Sequence, residues 1–352
     1  VVIIKTIMKR TLLTLLLFAT FSLSSCLDSR PVLRVYNWDD YLNPDLVPLF
    51  EKEANCKVEL LYFESNEQMR DAVASGEGGP FDVLVPSSYM AEELYREKLI
   101  MDLDHSQLPN LDHIDAKYLS DLATDKDMKY TVPYMMGFTG LAFTAGIVDE
   151  DAHPSWRLLT RADLKGRTIL LDDMRETIGA ALKSLGYSLN SSDPTELEEA
   201  SAVLKEWAAN SKGFDSSVYD DQLVQRDVRL AMAYSGDVLA DEEALVHFVA
   251  PREGMSLFCD GLAIAADSPN PELAHKFINF VHDPKICAQN AEYIMYRAPN
   301  SSAEKLLPAD IREHPAIYPD EAVLAKCEII AELDEETTAL YEKIWKEIRG
   351  EE

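Results

Sequence analysis

Acidic and aromatic side chains recur together along this 352-residue chain. The segment YNWDDY sets Asp39 and Asp40 between Trp38 and Tyr41. LDDMRE places Asp173 and Glu176 three residues apart. In AYSGD, Tyr234 precedes Asp237; in LFCDG, Phe258 precedes Asp260. Ser87 and Tyr89 in VPSSY, and Tyr296 in YIMYRAPN, add hydroxyls. A carboxylate accepts the donors of an alkylammonium, and a ring face attracts its charge while covering its methylene stem. Each segment also has a plain structural reading. Asp is common in turns, above all beside Gly. Ser87 suits a helix N-cap, Asp173 and Glu176 suit a capping box, and a lone ring is usually core. Arg175 and Arg297 are the basic residues that break the pattern.

These segments gain weight from the elements that carry them. LRVYNW, KVELLYF and FDVLVP read as strands. Between and after them lie a helix opened by Asn43 and Pro44, a helix from about Asn66 to Ala74, and a helix opened by Ser87 and Ser88. That alternation implies parallel α/β units. YTVPYMMGFTGLAFTAG suits a strand crossing between lobes near Gly137. Further on, the stretch 164–171 is a strand candidate followed by the helix TIGAALKSLGY. SSDPTELEEASAVLKEWAAN is a helix capped at Ser192 or Asp193. RLAMAYSGD is a strand ending in a turn, and the acidic tail 328–352 is helical by composition. No internal repeat is visible. In open α/β sheets, ligands bind outside the carboxyl ends of strands, where these acid and ring pairs fall.

Bulk properties narrow the class. Apolar residues make up 47% of the chain and charged residues 27%, a globular mixture. With 33 basic against 62 acidic residues, the net charge of -29 disfavours nucleic acid and attracts cations. Lys9 and Arg10 precede an apolar run from Leu12 to Leu23, shorter than the roughly 20 residues a bilayer span takes. This is the pattern of a secretory signal. Its end, Leu23-Ser24-Ser25-Cys26, resembles a bacterial lipobox, which implies a signal over 1–25, a lipid on Cys26 and a tether over 26–31. Met8 is the expected start. Cys56, Cys259, Cys287 and Cys327 are far apart, with neither metal-knuckle nor redox spacing, and are expected as buried free thiols.

The ordered set YNWDDY, YFESNEQM, FDVLVPSSY, LLDDMRE with ALKSLGYS, AYSGD, DGLAI, KFINFVHDP, YIMYRAPN and IYPDE resembles the spermidine/putrescine-binding proteins of polyamine ABC transporters. The likeness runs from about Leu33 to the C-terminus. It implies a two-lobed periplasmic-binding fold of type II, each lobe a mostly parallel sheet flanked by helices, with the ligand cleft between. Lobe 1 would comprise 32–136 and 261–304, and lobe 2 would comprise 137–260 and 305–352. On matching positions Trp38, Tyr41, Tyr89, Tyr234, Phe258 and Tyr296 would form an aromatic box. Asp40, Asp173, Glu176 and Asp260 would anchor ammonium groups, with Ser87 adding a hydroxyl. Asp39 stands where the family often has Ser or Thr. Tyr234 and Phe258 replace the Trp of spermidine-preferring members, and Asp237 matches an acid of putrescine-preferring ones. A family Gln has no counterpart, since Ile330 or Ala331 falls there. The resemblance thus implies binding of both polyamines, putrescine at least as tightly, and delivery to a transporter permease. It implies a monomer with no cofactor and no catalysis, held at the membrane by lipid alone.

Other readings of the same residues compete. A basic amino acid would need a cation for its carboxylate, which Arg175 or Arg297 could supply. A metal would want clustered ligands, and the His residues are scattered. A hydrolase could cast Asp40 and Asp260 as acid and base. A polyamine sensor with no transporter would look the same.

Overall fold

The computed structural model describes residues 29–115, 119, 125–147, 154–240 and 246–350. The expected signal segment and Cys26 lie outside them. Strand β1 (Val32–Asn37), helix α1 (Leu46–Ala54), β2 (Lys57–Tyr62), α2 (Asn66–Ser75), β3 (Val83–Leu84) and α3 (Ser88–Arg96) alternate as the hydrophobic pattern requires. β1 runs parallel to both β2 and β3. The first strand therefore lies between the second and third, which leaves a switch point at its carboxyl end. Helix α1 starts two residues later than Asn43 and Pro44 suggest. The Asn43 side chain instead accepts the Asp45 N–H at 2.9 Å, forming a turn ahead of the helix.

The long strand β4 (Val132–Thr144) is buried along its whole length, as its largely apolar sequence implies. Beyond it a second unit repeats the first. Its parts are β5 (Thr168–Leu170), α4 (Met174–Leu185), α5 (Pro194–Asn210), β6 (Gly213–Phe214), α6 (Tyr219–Val224), β7 (Leu230–Tyr234) and α7 (Ser235–Ala240). Here too the first strand, β5, runs parallel to the second and third on either side. The turn expected after Tyr234 is the start of α7. Asp193 caps α5, accepting the Thr195 N–H at 2.8 Å.

Two strands join the units. β9 (Ser256–Ile264) gives Ala263 and Ile264 to β3 and pairs antiparallel with β4 over the rest of its length. Past Thr139, β4 pairs with β7 and with β8 (Val246–Val249). Among the described residues ten strands thus form one sheet: eight follow the path β2-β1-β3-β9-β4-β7-β5-β6, with β8 beside β4 and a last strand, β10 (Glu328–Ile329), beside β9. The outer strands of each half are parallel as expected, whereas the crossing strands are antiparallel. β10 lies in the tail that composition marks as helix; pairing with Ser256 and Leu257 overrides that preference. Helices α8 (Pro271–Val281) and α9 (Pro284–Ile294) return to the first half, and α10 (Glu335–Arg349), capped by Asp334, packs on the second.

Cores follow the halves. Leu33, Val35, Phe50, Phe277 and Ile278 belong to one, and Phe143, Trp156, Ile178, Trp207 and Tyr341 to another. Leu307, Ile311 and Ile317 join the first core, although the sequence division puts 305–352 in the second half. The short turns after α9 keep packing on α9 and its neighbours, and Leu333, Leu340 and Ile344 meet the second core. The four cysteines from Cys56 to Cys327 are free; three are buried and Cys327 is half-buried.

Asp82 secures the first half away from the cleft. It is fully buried and accepts the Arg34 N–H at 2.8 Å, the Ser268 hydroxyl at 2.6 Å and the Asn270 N–H at 3.1 Å. Hydrogen bonds to a charged group are each worth about 1.5–3 kcal/mol, and orphaned donors add a desolvation cost. Asp82→Ala should therefore lower the unfolding free energy by about 3 kcal/mol or more in urea titrations, while leaving the cleft residues unaltered.

Candidate functional site

The carboxyl ends of all six outer strands converge on one cavity of about 500 Å³. From the first unit come Trp38 to Tyr41 after β1, Phe63 and Glu64 after β2, and Ser87 after β3. The second unit supplies Asp173 and Glu176 after β5, Ser216, Ser217 and Asp220 after β6, and Tyr234 and Asp237 after β7. Phe258 and Asp260 enter from β9, and Tyr296 from the end of α9. Among the described residues nine Asp or Glu line this space and no Lys, Arg or His does.

Asp260 is buried. One oxygen accepts the Ser87 hydroxyl at 2.8 Å and the other the Tyr41 hydroxyl at 2.9 Å. Ser87 stands at the N-terminus of α3 yet caps nothing with its side chain; the hydroxyl goes to Asp260. Burial pushes the Asp260 carboxyl up to about 7, with the Asp173 charge adding to it against those two hydrogen bonds. Asp173 does cap α4, accepting the Glu176 N–H at 3.0 Å, while its other oxygen lies 3.5 Å from the Tyr234 hydroxyl. Glu176 does not complete the capping box. Its carboxyl accepts the Ser256 hydroxyl, and burial beside Asp173 raises it well above the usual range. Asp237 accepts the Tyr296 hydroxyl at 2.6 Å and the Tyr219 hydroxyl at 2.8 Å, and burial lifts it to about 6.

The rings are held as firmly. Trp38 donates its indole N–H to the Val85 carbonyl at 2.9 Å and leans on Phe63 at 4.4 Å. Tyr41 meets Tyr296 edge-on at 5.2 Å, and Phe258 meets Tyr234 at 5.6 Å. Tyr89 does not line the main cavity but adjoins it, in a recess that shares Ser87, Asp173, Glu176 and Phe258 with it. The recess, of about 10 Å³, lies behind Ser87 and is closed by Ile329 and Ile330, and the Tyr89 hydroxyl accepts from Asn66 at 3.1 Å. Asp39 and Asp40 stand exposed at the mouth, Asp40 with a left-handed backbone (φ 50) that Asp tolerates better than most residues. Partial burial, with Asp39 and Asp221 nearby, raises the Asp40 carboxyl.

The two arginines that interrupted the acidic pattern point elsewhere. Arg175 donates to the Ala331 carbonyl and the Asn190 side chain, between the rings of Tyr89 and Tyr341. Arg297 lies over Tyr318 at 4.7 Å. Sequence reasoning missed the ends of β2 and β6. Applying the strand-end rule to KVELLYF would have found Phe63 and Glu64. β6 is two residues long, too short to leave a pattern, so Ser216, Ser217 and Asp220 had no signal. Tyr219, the partner of Asp237, sits on a helix of six residues that the sequence does not announce.

A two-lobed α/β frame with a binding cleft at the facing strand ends is the architecture of a solute-binding protein. The chain belongs to the bacterial extracellular solute-binding protein family, whose sequence profile matches residues 46–319. The spermidine/putrescine-binding periplasmic protein of Salmonella typhimurium is 33% identical over 90% of this chain and 91% of its own. The putrescine/cadaverine-binding protein of Pseudomonas aeruginosa is 31% identical over 97% of this chain and 99% of its own. A putative spermidine/putrescine ABC transporter from Listeria monocytogenes superposes with a TM-score of 0.84 at 34% identity, over 90% of this chain and 98% of that one. Proteins of this family bind solutes rather than convert them, which removes the hydrolase reading of Asp40 and Asp260. Among the described residues no helix is long and apolar enough to cross a membrane.

The raised carboxyls carry a pH signature. Their folded-state values lie above those of the unfolded chain, so between about pH 4 and 7 the folded protein holds protons that the unfolded chain has lost. Rising pH through about 6 to 7 then removes stability from the empty protein. Asp260→Asn should flatten this dependence: between about pH 6 and 8 its melting temperature should fall less than that of the wild type in scanning calorimetry.

Proposed function

We propose that this protein captures polyamines outside the cytoplasmic membrane and passes them to the permease of an ABC transporter, binding both putrescine and spermidine and putrescine at least as tightly. One observation carries the reading: a cleft lined by nine acidic side chains, of which Asp173, Glu176 and Asp260 are buried, with no basic side chain among its described lining residues, and walled by fixed rings. Ammonium groups give those acids a counter-charge that offsets the loss of hydration on burial. The methylene chain between them lies against Trp38, Tyr41, Phe258 and Tyr296. Asp260 with Ser87, Asp173 with Glu176, and Asp237 serve as anchors, with Asp39 and Asp40 drawing the cation in at the mouth. Tyr89 supports the wall behind Ser87. The names of the relatives support the same ligand class.

The basic amino acid reading loses support because its carboxylate would enter a cleft of carboxylates while Arg175 and Arg297 are engaged elsewhere. In this proposal the two lobes close about β4 and β9, where Gly137 and Phe258 face each other in register. A lipid on Cys26 tethers the protein, which acts as a monomer.

Calorimetric titration of the chain after Cys26 with putrescine, spermidine, lysine and arginine tests the reading. Heat with the polyamines and none with the amino acids is expected; no heat and no melting shift with any polyamine would overturn it. The buried acids must lose their protons to pair with an ammonium, so affinity should rise from about pH 6 to pH 8, with proton release visible as buffer-dependent heats. Asp260→Asn and Glu176→Gln should each weaken putrescine binding by about tenfold or more, since hydrogen bonds to charged groups are worth about 1.5–3 kcal/mol. Neither should lower the melting temperature at about pH 8, because each removes a buried charge that no cation balances.

A further inference from the structure

Tyr296 stands in a gap left open by two glycines. The chain reaches it through Met295, whose left-handed backbone (φ 57) ends α9. Just beyond, Arg297 exchanges backbone hydrogen bonds with Met136 of β4, at 2.8 and 3.1 Å, so the ring enters from a fixed anchor on a crossing strand. The Cδ1–Cε1 edge of the ring faces Gly137 and the Cδ2–Cε2 edge faces Gly236. A Cβ on Gly137 would stand 2.6 and 2.7 Å from those ring carbons and closer still to the Phe258 ring, which shares this gap, and one on Gly236 would crowd three atoms of the Tyr296 ring alone. Gly236 does not have a left-handed backbone, so the ring itself is what bars a side chain there. At the end of the gap the ring's hydroxyl meets Asp237, the residue next to Gly236.

We propose that Gly236 and Gly137 are specificity-determining positions that together form a slot for the Tyr296 ring. The seated ring sets the cavity wall at this end and, with Tyr219, aims the Asp237 carboxylate at the terminal ammonium of a short diamine. Any side chain at position 236 drives the ring into the cavity or pulls its hydroxyl off Asp237. In either case the far anchor is lost while Asp260 and the Asp173–Glu176 pair remain. The diamine, with its shorter reach, loses more than a longer polyamine that has further contacts. The ligand in this statement rests on the polyamine reading; the slot does not.

A double-mutant cycle between Gly236→Ala and Tyr296→Leu tests it, read in melting temperature without ligand and in putrescine and spermidine affinity. Gly236 lies in the first turn of α7, where Ala is intrinsically favoured over Gly. Local propensity alone therefore expects Gly236→Ala to stabilise. The slot expects it to lower the melting temperature when Tyr296 is present but not in the Tyr296→Leu background, and to weaken putrescine by about tenfold or more, a larger loss than for spermidine. Should Gly236→Ala fail to fold by itself, folding of the double variant supports the slot and failure of both overturns it. An equal cost in both backgrounds, or wild-type affinity with Gly236→Ala, also overturns it. If the wild type binds no polyamine, the ligand reading fails, and the stability cycle still decides on the slot.

Discussion

Negative charge without a counter-ion, held away from water, is the constraint around which this molecule is built. Asp260, Asp173, Glu176 and Asp237 are desolvated carboxyls whose partners are hydroxyls and backbone N–H groups rather than cations. Each hydrogen bond eases the cost of burial, yet the net effect at Asp260 and Asp237 is still a carboxyl pushed up to about 7 and about 6. A site of this kind is unfavourable when empty. Its deficit is what a buried cation makes good, and the depth of that deficit decides how strongly a cation is preferred over a neutral solute.

The frame meets this demand by using one device twice. In each half a first strand lies between the second and third, and the loops after the strands face the cleft. No single strand end could gather this much charge without the groups repelling one another into solvent. Six strand ends spread the acids around the walls, and the crossing strand β9 adds Asp260. The apolar continuity of β4 follows from its place. It is buried along its whole length, so the few polar side chains it carries need internal partners: the Tyr134 hydroxyl donates to the Tyr41 carbonyl and accepts from Asn290, and Thr144 accepts from Arg229.

The sequence was most informative where one residue type answers to one geometry. Alternation of strand and helix from Leu33 onwards, the apolar run of β4, and rings beside acids at strand ends all survive intact. It was least informative where tertiary partners choose between two local options. Ser87 looks like a cap and gives its hydroxyl to Asp260; Asp173 is a cap as well as a cleft residue; Glu176 turns to Ser256. Glu328 and Ile329 carry a helical composition and become a strand because β9 offers an edge. Tyr89, a box candidate only through the family resemblance, takes its hydroxyl's hydrogen bond from Asn66 and lies against Arg175, in a recess next to the cleft. The parallel build of the two halves left no trace as a repeat, because it resides in strand order rather than in side chains.

The same desolvation bears on the cysteines. Oxidants attack the thiolate, not the thiol. Cys259 sits beside Asp260 on β9, and burial together with that neighbouring charge holds its thiol far above the usual range; burial likewise lifts Cys287 to about 12. The environment that makes the cleft hungry for cations thus keeps its neighbouring sulfur chemically quiet. A protein of an extracellular family can in this way carry reduced thiols in an oxidising medium without pairing them: they are protected by the scarcity of the reactive form rather than by a bond.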